Sequence, residues 1–253
     1  MPTLIEFKNV TYSAGGREIL RDFNLQVQQG ETLVLLGRSG SGKTTALKLV
    51  NGLLMPAAGE VRVEEKATSQ WNLVQLRRRI GYSIQETGLF PHFTVRDNVG
   101  LVPRLERWEE ARITSRVDEL LAQVGLPPGE YAARFPHQLS GGQRQRTGVA
   151  RALANDPAIL LFDEPFGAVD PVTRNELQKQ FISLRDTLHK TALFVTHDTR
   201  EALLLGSRIA LLSGGRLLFL GTGQEFLSCP EPEAKAFLET ISNPELSQGS
   251  GVH

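Results

Sequence analysis

The sequence predicts an α/β fold built around a largely parallel sheet, and three apolar runs predict it. Thr32-Leu-Val-Leu-Leu36, Ile159-Leu-Leu-Phe162 and Ala192-Leu-Phe-Val-Thr196 are unbroken and of strand length. Continuous rather than alternating hydrophobicity is the pattern of strands covered on both faces. Each run ends in residues able to do chemistry: a glycine-rich loop after Leu36, Asp163 and Glu164 after Phe162, and His197 and Asp198 after Thr196. Ligands of doubly wound sheets bind at the carboxyl ends of strands, so the three ends are expected to share one crevice.

The other elements follow in order. Residues 1–31 read as strand-rich, with Leu4 to Phe7 and a clear alternation from Phe23 to Val27, which predicts an antiparallel β lobe. Thr45 to Val50 reads as the helix behind the glycine loop, and Ile80 to Ile84 as another strand. The triple arginine Arg77, Arg78 and Arg79 before that strand is expected to be a solvated face. From Trp108 to Val124 the apolar residues Ile113, Val117, Leu120, Leu121 and Val124 recur at helical spacing, stopped by Gly125-Leu-Pro-Pro128. Arg144 to Leu153 reads as a helix stopped at Asn155-Asp156-Pro157, and Pro232 to Ile241 as a final helix before a Ser/Gly-rich end. The expected organisation is a core with its β lobe over 1–85 and 139–224, a helical subdomain over 86–138, and a tail over 225–253.

Three segments carry phosphate chemistry. Gly37-Arg-Ser-Gly-Ser-Gly-Lys-Thr44 fits the phosphate-loop pattern G-x-x-x-x-G-K-[ST] between a strand and a helix. Its backbone N–H groups and the helix N-terminus would face phosphate oxygens, Lys43 would reach the β- and γ-phosphates, and the Thr44 hydroxyl would serve Mg²⁺. The nucleotide-contacting set is therefore Gly37, Arg38, Ser39, Gly40, Ser41, Gly42, Lys43, Thr44 and Thr45. Asp163 is placed to hold Mg²⁺, directly or through water, because hard oxygen ligands suit that ion. Glu164 is placed to orient or deprotonate an attacking water, and His197 to bond the γ-phosphate. Finally, Leu139-Ser-Gly-Gly-Gln143 precedes a helix. Ser140 has N-cap chemistry and the two glycines leave N–H groups open to an anion, a second phosphate-binding helix start without a second lysine loop.

Together these residues resemble the nucleotide-binding subunits of ATP-binding cassette (ABC) transporters, over roughly residues 4 to 225. The resemblance implies a P-loop NTPase (RecA-like) core with a mixed sheet, an N-terminal antiparallel β lobe and an inserted α-helical subdomain. It implies that Tyr12 stacks on adenine, that Gln85 couples Mg²⁺ and water to the membrane partner, and that His197 is the switch histidine. It further implies that Ser140, Gly141, Gly142 and Gln143 close on ATP held by a second ATPase subunit, with Asp170 in the loop that communicates across that dimer. ATP and Mg²⁺ are the implied cofactors. The implied partners are a like subunit, separate transmembrane permease subunits and, indirectly, an extracytoplasmic solute-binding protein. Leu89-Phe-Pro-His-Phe93 either docks the permease or packs its own lobe.

Composition narrows the class. Lys+Arg and Asp+Glu balance at 28 each, which gives no electrostatic case for nucleic acid. The one cysteine, Cys229, excludes an internal disulfide. No run of about 18 uncharged apolar residues is available to span a bilayer, and the resemblance implies a peripheral ATPase on the cytoplasmic face of the inner membrane. The segments around Ile84 to Val95, Asp163 to Pro171 and Phe194 to Asp198 resemble importers of glycine betaine, choline and related quaternary amines. Another small solute stays open as cargo, as does a non-transport ATPase of the same superfamily. The appended regulatory modules of many such relatives are not expected in a chain ending at His253.

Overall fold

A computed structural model describes residues 1–84, 88–167 and 169–242. In chain order its elements are β1 (Thr3–Ala14), β2 (Arg17–Gln28), β3 (Thr32–Leu36), α1 (Lys43–Val50), β4 (Ala58–Val63), β5 (Lys66–Ala67), α2 (Leu73–Arg79) and β6 (Ile80–Ser83). There follow α3 (Val95–Leu105), α4 (Glu110–Gln123), α5 (Pro128–Tyr131), α6 (Gly141–Leu153), β7 (Ile159–Asp163) and α7 (Pro171–Leu188). The last are β8 (Thr191–Thr196), α8 (Thr199–Leu205), β9 (Arg208–Ser213), β10 (Arg216–Gly221), α9 (Gly223–Leu227) and α10 (Pro232–Ser242). They group into two compact units, Met1–Gln70 with Leu193–His253, and Trp71–Ala192.

The first unit holds an antiparallel sheet in the order β2-β1-β4-β5. Leu20, Phe23, Leu25 and Val27 of β2 are buried while their neighbours face out, the alternation of a sheet solvated on one side. Phe23 meets Phe7 of β1 edge to face at 5.1 Å. β1 and β2 run to twelve residues each because register shifts along the pair absorb the polar interruptions that hide their full length in sequence. The same unit contains the strand succession β10-β9-β3-β8. Every residue of β3 is buried, and β3 runs parallel to β9, pairing Val34 with Ile209. β10 returns antiparallel to β9, so the sheet is mixed. Behind β8, α8 receives α10: Thr199 Oγ1 donates to Phe237 O at 3.1 Å.

The second unit pairs β6 and β7 in parallel, Tyr82 opposite Leu161 and Ser83 opposite Phe162. Helix α6 lies so close to β6 that a Cβ at Gly81 would sit 2.2 Å from Ala152 O. α4 buries Ile113, Val117, Leu120 and Leu121, the stripe read from its spacing. Each such side chain contributes about 1.5–3 kcal/mol by leaving water. Phe162 packs edge-on against Phe181 of α7 at 5.0 Å, fixing α7 against the end of β7. Arg77 and Arg79 are exposed, as a solvated face requires, and Arg78 pairs with Glu106 at 3.1 Å.

Candidate functional site

In the first unit, β3 runs directly into the glycine loop, and its glycines are needed for different reasons. A Cβ on Gly37 would lie 2.3 Å from Leu212 O, so the loop can leave the sheet only without a side chain there. Gly42 has φ 104° and would place a Cβ 2.6 Å from Leu20 Cδ2. Lys43 is buried, and its ammonium donates to Gly37 O at 2.7 Å and Arg38 O at 2.9 Å. The loop is therefore wound around the lysine. Ser41 is also buried, yet its hydroxyl has no hydrogen-bond partner among the described residues. A buried orphan hydroxyl costs free energy unless something accepts from it.

Helix α1 starts at Lys43, two residues earlier than its sequence suggests, with Gly42 as a cap that offers no side-chain bond. Its first turn carries no acidic residue, so α1 itself leaves the positive end of its dipole open to an anion. Orphan hydroxyl, buried lysine and a helix start with no acidic residue in its first turn all fit an anion with several oxygens, the chemistry of a polyphosphate.

His197 stands exposed at the end of β8, in the same unit as the loop. The chain is stiff on its far side: Asp198 accepts from Arg200 N at 2.8 Å and Glu201 N at 3.3 Å, capping α8. Thr196 Oγ1 meanwhile donates to Glu201. Tyr12 is half-buried on β1 opposite Leu20, and Thr44 and Thr45 are half-buried in the first turn of α1. Arg38, Ser39 and Gly40 form the exposed tip, where Arg38 pairs with Glu233 of α10 at 2.7 Å.

The second unit carries the carboxylates. Asp163 closes β7 and is only 5% exposed. Tyr82 of β6 donates its hydroxyl to Asp163 Oδ2 at 3.4 Å. Burial, reinforced by that carboxylate, pushes the Tyr82 phenol far above its usual range, so it stays a donor. Glu164 has φ 45°, a left-handed backbone rare for a residue with a side chain. Strain of this kind persists where the surroundings over-determine it. Here Pro165 follows, and Gly167 N donates to Glu164 O at 3.1 Å.

The segment before α6 is already bonded to itself. Ser140 Oγ accepts from Gln143 N at 3.2 Å, and Gln143 Oε1 accepts from Ser140 N at 2.9 Å, a reciprocal capping box. Gln143 Nε2 donates to Tyr131 Oη at 3.2 Å, so this glutamine is committed to holding the helix start. Gly141 and Gly142 remain as the side-chain-free turn. Asp170 caps α7 by accepting from Val172 N at 3.1 Å and Thr173 N at 3.0 Å. Hydrogen bonds from Thr173, side chain first and then backbone, hold its carboxyl below the usual range. Gln85 lies outside the described residues. Phe90, His92 and Phe93 form an aromatic group in which Phe90 and His92 are exposed.

A protein-family profile, ABC transporter, matches residues 20–167. The chain belongs to the ABC transporter family.

Two relatives of this ABC transporter chain are 46% identical to it. The choline transport ATP-binding protein OpuBA of Bacillus subtilis matches over 98% of this chain and 64% of its own length. The glycine betaine uptake system ATP-binding protein YehX of Escherichia coli matches over 90% and 73%. Across the curated relatives with osmoprotectant names, the chain spans 55% to 73% of their length. Among solved structures, a dimeric post-hydrolysis state of an ATP-binding cassette bound to ADP and Pi superimposes with TM-score 0.78. It is 34% identical over 87% of this chain and 98% of that one. The α/β fold read from the strand runs is that of the ABC cassettes.

Within this ABC transporter chain, one unit holds Tyr12, residues 37–45 and His197, and the other holds residues 140–143, Asp163, Glu164 and Asp170. Among the described residues no cluster of three His, Cys, Asp or Glu side chains could cage a metal. Mg²⁺ in nucleotide sites takes one or two protein carboxylates and completes its shell with phosphates and water. Asp163 is a carboxylate of that kind in its unit, and Thr44 is a hydroxyl donor in the other. Sequence reasoning missed Tyr82. The only available signal was a polar-tipped aromatic in the strand Ile80 to Ile84, and it becomes legible only once β6 is known to lie beside β7.

Proposed function

We propose that this chain is the ATP-hydrolysing subunit of an ABC importer. The observation that carries the reading is the glycine loop, with its buried Lys43, its orphan Ser41 hydroxyl and an α1 start without acidic or side-chain cap. In this reading residues 37–45 bind the triphosphate and Tyr12 stacks on adenine. Thr44, Asp163 and Gln85 serve Mg²⁺, which when bound offsets charge developing on the β- and γ-phosphate oxygens.

Glu164 accepts a proton from water as the water oxygen bonds to the γ-phosphorus. The bond from that phosphorus to the bridging oxygen breaks, and ADP departs with the electron pair. His197 bonds the γ-phosphate and holds the water in register. Residues 140–143 and Asp170 face the nucleotide of a second, like subunit, so ATP draws two copies together and hydrolysis lets them part, a γ-phosphate-biased two-state element. That motion drives separate permease subunits at the cytoplasmic face of the inner membrane, supplied by an extracytoplasmic solute-binding protein.

For cargo we propose a quaternary amine such as glycine betaine or choline, supported by the names of the relatives. Glu164→Gln tests the chemistry. ATP binding should persist while turnover falls by about 10²- to 10⁴-fold, the worth of a general base. A turnover near wild type would sink the assignment. Uptake of labelled glycine betaine and choline by cells carrying the wild-type or the Glu164→Gln chain tests the cargo; unchanged uptake in the variant would reject it.

A further inference from the structure

We propose that Tyr82 is a positioning residue for the magnesium carboxylate, its hydroxyl fixing which oxygen of Asp163 is turned toward the cation. The inference rests on the reading of Asp163 as a Mg²⁺ ligand and adds a residue to it.

The geometry begins with the β6 and β7 pairing. In the parallel register Tyr82 lies opposite Leu161, two residues short of the end of β7. An aromatic side chain is long enough to cover that offset, and the hydroxyl arrives 3.4 Å from Asp163 Oδ2. An ionised carboxylate can only accept, so the phenol must be the donor in this pair. At 3.4 Å the bond is long for O–H···O, and as a source of binding energy it is weak. Its effect is on orientation. The terminal torsion of an aspartate is broad and roughly two-fold, so its two oxygens exchange roles easily. A donor anchored on a buried strand and directed at Oδ2 marks that oxygen off from Oδ1.

Orientation matters here because Mg²⁺ demands near-ideal octahedral geometry and tolerates little displacement of a ligand oxygen. Residues that orient metal ligands from the next layer out typically cost 10–100-fold in metal affinity when removed. Phe at 82 would keep the ring, the packing and the strand, and lose only the hydroxyl.

The experiment uses the full chain as wild type, Tyr82→Phe and Asp163→Asn, with a fluorescent ADP analogue (mant-ADP) as probe. Two quantities are read: analogue affinity in EDTA, and the Mg²⁺ concentration that half-completes the metal-dependent fluorescence change. For Tyr82→Phe the affinity in EDTA should match wild type, while the Mg²⁺ half-point rises about 10-fold. An unchanged half-point would overturn the proposal. So would an equal loss of affinity with and without Mg²⁺, which marks a general packing role. Asp163→Asn separates the two levels. If it abolishes the Mg²⁺ response while Tyr82→Phe leaves it intact, only the positioning role fails. If Asp163→Asn itself responds to Mg²⁺ as wild type does, the ligand assignment fails and the positioning role with it.

Discussion

Gly142 and Thr173 meet so closely that a Cβ on the glycine would lie 2.4 Å from Thr173 Cγ2. The contact joins the first turn of α6 to the first turn of α7, the helix that Asp170 caps. Side chains at Ser140 to Gln143 and at Asp170, read in sequence as separate elements of one function, are thus parts of one packed corner.

That contact sets the sign of a substitution. Glycine to alanine inside a helix is ordinarily favourable by about 0.5–1 kcal/mol. At Gly142 the collision dominates, because overpacking a close contact costs about 1–3 kcal/mol. Gly142→Ala should therefore lower the urea midpoint. Thr173→Ser, which deletes the offending methyl, should recover most of the loss in the double variant. A double variant no more stable than Gly142→Ala would place the clash elsewhere.

Asn98 supports the aromatic segment before α3. It is fully buried, accepts from Phe90 N at 2.8 Å, and donates to Phe90 O, Phe93 O and Thr94 O at 3.1, 3.1 and 2.9 Å. Asn98→Ala strips the side-chain partner from four backbone groups at once, the two amide hydrogens being shared among three carbonyls. Water can reach some of them beside exposed Phe90, so the expected loss is about 2–3 kcal/mol rather than the full sum. Denaturant unfolding measures it, and amide exchange at Phe90 should accelerate in the variant. An unchanged exchange rate would contradict the role given to Asn98.

Asp170 gives a pH signature. Its carboxyl is held below its ordinary value in the fold, so the unfolded chain binds its proton first as pH falls. The cap therefore contributes stability above the unfolded value of about 3.9 and loses it as pH drops through the lower folded value. Wild type should exceed Asp170→Ala in urea midpoint at pH 7, and the gap should close progressively below about pH 4. A gap constant from pH 7 to pH 3 would show that the charge is not what caps α7.

Much of the fold was legible because its signals are local. Thr32 to Leu36 and Ile159 to Phe162 read as buried strands since both faces are covered and no polar residue interrupts them. The α4 stripe was legible for the same reason, one helix face repeating at a fixed period. The phosphate loop was legible because its glycines, lysine and hydroxyls lie within eight consecutive residues. The full lengths of β1 and β2 were not, because register shifts break the alternation on which a strand reading depends.

By itself, then, the sequence determined the strand and helix ends at which the candidate side chains stand. Those properties depend on neighbours a few residues away, and so does the family resemblance built on them. Tertiary structure alone decided that the Ser41 hydroxyl is buried without a partner, that Tyr82 reaches Asp163, and that Gly142 meets Thr173. Each depends on how strands pair or helices cross, bringing together residues tens of positions apart, and no local periodicity records that distance.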